Sequence, residues 1–438
     1  MTDTIYALAS AAGRAGVAVY RLSGPRTGAA LAALTGRSPP PPRRAVRRVF
    51  ADADGEVIDD GLALWFPAPA SFTGEDVAEL HLHGGRAVAA ALAAALGRFG
   101  LRPAEPGEFS RRAFGNGKMD LTRAEAIADL VDAETAAQRR QALRQMEGGL
   151  AAVVESWRSR LVTALAHLEA VIDFADEDIP AGLPTGIVAE VAALAADLAA
   201  DLADGHRGER TRDGIHIAIV GAPNVGKSSL LNRLARRDAA IVSAEAGTTR
   251  DVIEIHLDLG GWPVVVADTA GLRDAAGEIE AEGVRRALAR AESADLKLAV
   301  FDGAGLDAAT LEVIDDATLV VLNKLDTVTT ALPPAIAGRP ALALSARSGD
   351  GVERLVEALT AEVERRFAVG TAPVLTRARH RAAVGEAEAA LRRFDPRGGI
   401  ELAAEDLRLA ARALGRVTGR VEVDEVLDAI FREFCIGK

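Results

Sequence analysis

A single cysteine, Cys435, stands in 438 residues, so no disulfide can form within the chain and a disulfide-stapled secreted scaffold is excluded. Aromatic residues are scarce at 4%. The apolar share of 49% therefore rests mainly on alanine and leucine, both strong helix formers. Basic charge is in deficit: 51 Lys and Arg against 63 Asp and Glu leave a net charge of −12 and a pI near 5.3. That balance argues against a chain that coats nucleic acid, because counterion release needs dense Lys and Arg; a local basic site is still compatible with it. No apolar run approaches the ~20 residues that span a bilayer. Met1 to Ser10 lacks the basic-then-apolar layout of a signal peptide. The expectation is a soluble, cytoplasmic protein of about three domains, at roughly 150 residues each.

What is present divides along the chain. Residues 1–118 mix strand and helix, with strands expected over Gly16–Leu22, Gly61–Phe66 and Val77–His83. Alternation puts Val17, Val19 and Arg21 on one face of the first. It also puts Glu79 with His81 and His83, opposite Ala78, Leu80 and Leu82. Pro39 to Pro42, followed by Arg43, Arg44, Arg47 and Arg48, reads as an extended, charged loop, usually a solvated edge. From Asp120 the texture is helical, opened by a capping box of Thr122 with Glu125 and broken only near Ile179 to Pro184. Gly205 to Gly214 reads as a polar linker. Strand and helix then alternate from residue 215 to about 367, which implies a parallel-rich sheet between helices. Helical texture returns after Pro373. The fold class is thus α/β and α: an N-terminal α+β domain (1–118), a discontinuous helical domain (119–210 and 373–438), and an inserted Ras-like P-loop domain (211–372).

The inserted segment carries a nucleotide site. Gly221-Ala-Pro-Asn224-Val225-Gly226-Lys227-Ser228-Ser229 lies between a strand and a helix. Its main-chain N–H groups and the helix N-terminus suit phosphates, Lys227 reaches the β- and γ-phosphates, and the Ser228 hydroxyl ligates Mg²⁺. Asp268-Thr269-Ala270-Gly271 ends a hydrophobic strand: Asp268 holds Mg²⁺ through water, and the Gly271 N–H bonds a γ-phosphate only while one is present. Asn323-Lys324-Leu-Asp326 follows another strand. The Asp326 carboxylate accepts from guanine N1–H and the 2-amino group, donors that adenine lacks, a mismatch worth about 10⁴ in discrimination. Ser345-Ala346-Arg347 follows the last strand, where a main-chain N–H meets guanine O6. Gly247-Thr248-Thr249-Arg250-Asp251 places Thr249 to complete the Mg²⁺ shell. Where Ras-like proteins keep a water-orienting Gln, this chain has Leu272. Arg273, Glu278, Glu280 and Glu282 lie downstream, and chemistry alone does not choose among the three glutamates.

With these motifs and the terminal Phe434-Cys435-Ile436-Gly437-Lys438 in view, the chain resembles the tRNA-modification GTPases of the MnmE (TrmE) family. The resemblance runs from Thr4 to Lys438. Its more specific strings are Ser71-Phe-Thr-Gly-Glu-Asp76, His83-Gly-Gly85, Pro106-Gly-Glu-Phe109, Arg112-Ala-Phe114, Asn116-Gly-Lys118 and Ala124-Glu-Ala-Ile-Ala-Asp129. The resemblance implies a K⁺-activated GTPase whose nucleotide domains meet across a homodimer. Asn224 matches the K⁺-ligating asparagine, and the loop of Ser243, Glu245, Ala246, Gly247 and Thr248 matches the rest of the ion's coordination and part of the nucleotide site. Glu280 matches the water-orienting glutamate. The N-terminal domain is then a folate-binding and dimerisation domain, with Arg21, Glu79, Lys118 and Lys438 matching positions that contact a reduced folate (5,10-methylene- or 5-formyl-tetrahydrofolate). Cys435 sits in the terminal motif needed for modification, although a lone cysteine beside Phe434 and Ile436 is usually a small buried hydrophobe. The implied reaction adds a carboxymethylaminomethyl or aminomethyl group to C5 of a tRNA wobble uridine. A flavin-dependent partner of the MnmG (GidA) family would join it in a heterotetramer, since this chain has no dinucleotide fingerprint. Neither membrane nor DNA is an expected partner. A competing class is a ribosome-assembly GTPase that switches RNA binding without modification chemistry; it should carry an appended Lys- and Arg-rich module, whereas this tail ends in C-I-G-K. A folate-dependent transferase without GTP fails on the intact nucleotide motifs.

Overall fold

A computed structural model describes residues 3–173, 183–204, 206–236, 240–241, 254–268, 292–302, 305–328, 332–368, 375–421, 424–432, 434 and 437. The chain divides into two compact units, one of residues 1–128, 146–162 and 408–438, the other of residues 129–145 and 163–407.

In the first unit, six strands are β1 Ile5–Leu8, β2 Ala18–Ser23, β3 Val46–Ala51, β4 Val57–Phe66, β5 Val77–Leu82 and β6 Arg102–Pro103. They form one sheet in the order β3-β4-β5-β2-β1-β6, antiparallel except where β6 joins β1. Alternation sorts its faces. Ala18, Tyr20 and Leu22 of β2, with Ala78, Leu80 and Leu82 of β5, bury against Leu31 and Leu34 of helix Thr27–Thr35 and Leu92 and Leu96 of helix Arg86–Arg98. The register pairs Arg21 with Glu79, so this charged couple faces away from that core.

Three local expectations are corrected here. Arg47 and Arg48 do not belong to a loop: they lie in β3, and Arg47 donates to Asp60 of β4 at 2.5 Å. Cross-strand charge pairing and a buried Phe50 hold the arginine-rich stretch in the sheet. The N-cap of helix Leu121–Val131 is Asp120, whose carboxylate accepts from the Arg123 N–H at 3.1 Å and the Thr122 hydroxyl at 2.5 Å. Thr122 and Glu125 are both buried within the helix, two positions further on than a capping box requires. Residues 207–213, read as linker, form a short helix packed beneath the second sheet and anchored by Arg210 to Asp295 at 2.7 Å.

In the second unit, eight strands are β7 Ile215–Val220, β8 Ala240–Ile241, β9 Glu254–Leu259, β10 Trp262–Asp268, β11 Leu296–Asp302, β12 Thr318–Asn323, β13 Ala335–Ile336 and β14 Arg339–Ala343. Their order is β13-β14-β12-β11-β7-β10-β9-β8. The centre, from β14 to β10, is parallel; both edges are antiparallel. Both faces are buried. Ile215, Ile217 and Ile219 pack with Leu230, Leu234, Leu355 and Leu359 on one side, and Ala218, Val220, Phe301 and Leu322 form the core of the other. Double burial is why these strands read as apolar runs rather than alternating ones. The mixed sheet between helices is the fold expected of residues 211–372.

Asp129 closes the base of this unit. Its Oδ1 accepts from Arg212 Nε at 3.0 Å, just before β7, and from Arg377 Nη2 at 2.6 Å, just before helix Ala378–Arg393. One carboxylate thus ties the segment leading into the second sheet to the segment that follows it.

Candidate functional site

Parallel strands bring their carboxyl ends to one edge of the sheet, and the turns there build the site. After β7 the chain turns through Asn224, with φ 61°, and Gly226, with φ 100°, into helix Lys227–Ala235. Both values are left-handed, a conformation Gly and Asn tolerate. Gly226 has a second requirement: a Cβ on it would stand 2.2 Å from Asn323 Nδ2. Lys227 is buried, and its ammonium donates to the carbonyls of Gly221 at 2.7 Å and Ala222 at 2.9 Å, inside the turn. Ser228 and Ser229 are exposed on the first helical turn.

The Asn323–Asp326 and Ser345–Arg347 segments lock to this loop. Asn323 Nδ2 donates to the Val225 carbonyl at 2.8 Å, and its Oδ1 accepts the Ala346 N–H at 2.9 Å. Lys324 takes a left-handed φ of 63°, with Nζ 3.0 Å from Asp302. Asp326 opens the short 3₁₀ turn Leu325–Thr327, where the Ser345 hydroxyl donates to its Oδ1 at 2.7 Å. That hydrogen bond holds the exposed Asp326 carboxyl below the usual carboxylate range. It is an anion at neutral pH, as acceptance from two guanine donors requires. Arg233 of the P-loop helix donates to the carbonyls of Ala346 and Arg347, fixing the third segment. Asp268 ends β10 in register with Ile219 of β7, which brings it to the same edge.

A second site lies on the open face of the first sheet. A cavity of about 440 Å³ is lined by Arg21, Arg43, Phe66, Phe72, Glu79 and Lys118, among others. Arg21 donates twice to Glu79 Oε1, at 2.9 and 3.2 Å, and its guanidinium lies 5.5 Å from the Phe72 ring centre. Glu79 Oε2 is left facing His81 Nε2 at 3.6 Å, beyond hydrogen-bond reach. Lys118 Nζ donates to the Pro69 carbonyl at 2.9 Å. Behind it, fully buried Arg112 meets Glu108 at 2.9 Å, Asp3 at 2.9 Å and Glu75 at 3.2 Å. Burial alone would raise the carboxyl of Glu108; hydrogen bonds from Arg102 and Arg112 hold it below the ordinary carboxylate range instead.

A model described as the GTP-binding protein TrmE N-terminus matches residues 4–118, and one described as the MnmE helical domain matches residues 121–435. The chain is 73% identical over 441 residues to the tRNA modification GTPase MnmE of Paramagnetospirillum magneticum, covering 100% of both. It is 58% identical to that of Rhodospirillum rubrum (100% of this chain, 99% of the relative) and 57% identical to that of Parvibaculum lavamentivorans (100% of both). The chain belongs to the MnmE family of tRNA modification GTPases. It is a GTP hydrolase. Among solved structures, the G domain of the T. maritima FeoB iron transporter aligns with 34% of this chain and 98% of its own, at 23% identity and a TM-score of 0.27.

The described residues thus bring Asn224, Val225, Gly226, Lys227, Ser228, Asn323, Lys324, Asp326, Ser345, Ala346 and Arg347 into adjoining turns at one edge of the second sheet, and Arg21, Glu79 and Lys118 into one cavity. Ser243, Glu245, Ala246, Gly247, Thr248, Thr249, Thr269, Ala270, Gly271, Leu272, Glu280, Cys435 and Lys438 lie outside the described residues. Gly437 is described, and a Cβ there would stand 2.3 Å from the Leu8 carbonyl oxygen, so this glycine lies against the end of β1. Sequence reasoning missed Arg43, Phe66 and Phe72 as cavity residues. Nothing in the arginine run distinguishes Arg43 from Arg47, and only the fold separates their roles. No group of three His, Cys, Asp or Glu side chains placed to hold a metal ion occurs among the described residues. No helix among them is long and apolar enough to cross a membrane.

Proposed function

We propose that this GTPase works in the cytoplasm as a K⁺-activated homodimer that, with a flavin-dependent MnmG-family partner, modifies C5 of the wobble uridine of tRNA. A folate one-carbon unit becomes part of the carboxymethylaminomethyl or aminomethyl group. The observation that carries this reading is the cavity on the open sheet face: Arg21, Glu79 and Lys118, far apart in the chain, converge there in a chain that is a GTP hydrolase. Apolar walls with a few convergent polar groups suit a heteroaromatic ligand. Glu79 Oε2 is the acceptor such a ring would use. In this reading residues 1–118 form the folate and dimerisation domain, 119–210 with 373–438 the helical domain, and 211–372 the nucleotide domain.

Lys227 and the P-loop N–H groups would hold the β- and γ-phosphate oxygens as negative charge shifts in the transition state. Glu280 would orient the attacking water, the task that Leu272 cannot perform. Ser228, Thr249 and, through water, Asp268 would hold Mg²⁺; the oxygen donors suit a hard cation, and both Ser228 and Asp268 stand at the carboxyl edge of the sheet. The side-chain oxygen of Asn224 and main-chain carbonyls of Ser243, Glu245 and Thr248 would hold K⁺. Both ions, when bound, supply positive charge beside the phosphates. Lys438 would complete the folate pocket, and Cys435 would act beside it only if its thiol pKa were depressed.

Two experiments test this reading. GTP turnover in K⁺ and in Na⁺ at matched ionic strength should differ, and equal rates would remove the K⁺ assignment. Nucleoside analysis of tRNA from cells lacking the protein should show unmodified wobble uridine; intact modification would overturn the tRNA assignment.

A further inference from the structure

Of the arginines in the run from Arg43 to Arg48, Arg47 is satisfied: Asp60 on the neighbouring strand neutralises it. Arg43 is held differently. Its main chain sits at φ 62°, a strained left-handed value for arginine, pinned by its N–H to the Trp65 carbonyl at 2.9 Å. The side chain turns over the Phe66 ring at 5.8 Å and donates to the Ala70 carbonyl. Across the same cavity, Lys118 donates to the carbonyl of the preceding residue, Pro69. Among the described residues no carboxylate forms an ion pair with Arg43, with Arg44 beside it, or with Lys118. Carbonyls orient these cations without neutralising them. Glu79, the one acid among the described residues lining the cavity, is already paired with Arg21. The cavity is therefore bipolar: a neutralised Arg21–Glu79 couple at the sheet, aromatic walls of Phe66 and Phe72, and uncompensated positive charge at the rim.

From this arrangement we infer that Arg43, with Arg44 outside it, is a specificity residue for a ligand with an aromatic head and a polyanionic tail. Resting on the folate reading above, the ligand is the poly-γ-glutamyl form of the reduced folate rather than the monoglutamate. The head reaches Glu79, the benzoyl stem lies along Phe66 and Phe72, and the first glutamate's carboxylates meet Lys118. Each further glutamate adds a carboxylate, and these meet the Arg43 guanidinium as the tail leaves toward Arg44. Arginine suits this role because its planar fork engages carboxylates in pairs and stacks on a ring at the same time.

The test is titration of the full-length protein with 5-formyl-tetrahydrofolate carrying one or three glutamates, at low and at 0.5 M salt. Exposed ion pairs predict roughly five- to tenfold tighter binding of the triglutamate at low salt, with the preference shrinking at high salt. Arg43→Gln should bring the two affinities to within about twofold. Arg44→Gln, which alters no strained residue, should reduce the preference in part and serves if Arg43→Gln does not fold. Arg47→Gln should leave the ratio unchanged. Equal wild-type affinity for both tail lengths overturns the inference while leaving the folate reading intact; binding of neither overturns both. A tail preference that persists in Arg43→Gln, together with weakened tRNA binding, would assign these cations to phosphate and overturn the inference as well.

Discussion

Asn323 and Val225 are joined by a buried hydrogen bond of 2.8 Å, from the carboxamide of the guanine-recognition motif to a carbonyl of the phosphate loop. Through its other atom the same side chain takes the Ala346 N–H. Asn323 is thus a brace between the three nucleotide segments. The close passage of Gly226 beneath it leaves no space for a side chain.

Replacing Asn323 by Ala leaves a buried carbonyl and a buried N–H without partners, at about 1–3 kcal/mol each. Because the damage is to loop placement, GTP and GDP should weaken together by at least about tenfold, and the melting temperature should fall. Calorimetric titration and thermal unfolding check this; loss of GTP affinity alone, with GDP unchanged, would contradict the brace. Gly226→Ala should act the same way through steric conflict.

In the proposed nucleotide site, Asp326 would recognise the base by acceptance alone. Asp326→Asn presents a donor where guanine also donates, so GTP affinity should fall by about 10² or more. Xanthosine triphosphate, which has a carbonyl at that ring position, should bind better than GTP. A variant that kept its preference for GTP would place recognition elsewhere.

Around Arg112, the lowered carboxyls of Asp3 and Glu108 carry a pH signature. Their folded-state pKa values lie below the ordinary carboxylate values of 3.8 and 4.5. Their stabilisation is therefore complete above that range and lost as pH falls through the lowered values. Arg112→Met should be less stable at pH 7 by about 3 kcal/mol, since it breaks a buried ionic network. It should also show a shallower loss of stability below about pH 4.5 than the wild type. Denaturant unfolding from pH 7 to pH 3 measures both. Parallel curves would mean that Arg112 contributes through packing only.

The Asp129 carboxylate is half of two ion pairs at the base of the nucleotide unit, and Arg377 there is only 10% exposed. Asp129→Asn keeps the shape and removes the charge. It should lower stability by about 2–3 kcal/mol, because a largely buried guanidinium loses its counter-charge. GTP affinity should be unchanged, since Asp129 contributes nothing to the pocket. Denaturant melts and nucleotide titration on one preparation separate the two, and a selective loss of GTP affinity would contradict this role.

Legibility in the sequence followed the range of the interaction. The P-loop, the Asn323–Asp326 segment and the apolar strands before them are each set by contiguous residues, and all were readable. The alternating strands β2 and β5 were readable too, so Arg21 and Glu79 could be placed on one face before any contact was known. The short helix 207–213 was missed because its seven residues hold little apolar periodicity, and its anchor, Asp295, is distant in the chain. The Asp120 cap was missed by two positions, because Thr122 and Glu125 have the right spacing but are buried inside the helix.

By itself the sequence determined that this chain binds guanine nucleotide and lacks the usual glutamine after D-x-x-G. Both are properties of residue type at fixed spacing along one loop. Tertiary structure alone decided which arginine of a uniform run faces a cavity and which is neutralised on a strand. It also decided that Asp129 clasps Arg212 and Arg377, and that Asn323 braces the phosphate loop. Such pairings depend on where closed loops bring distant segments, and no local pattern of hydrophobicity or charge encodes that.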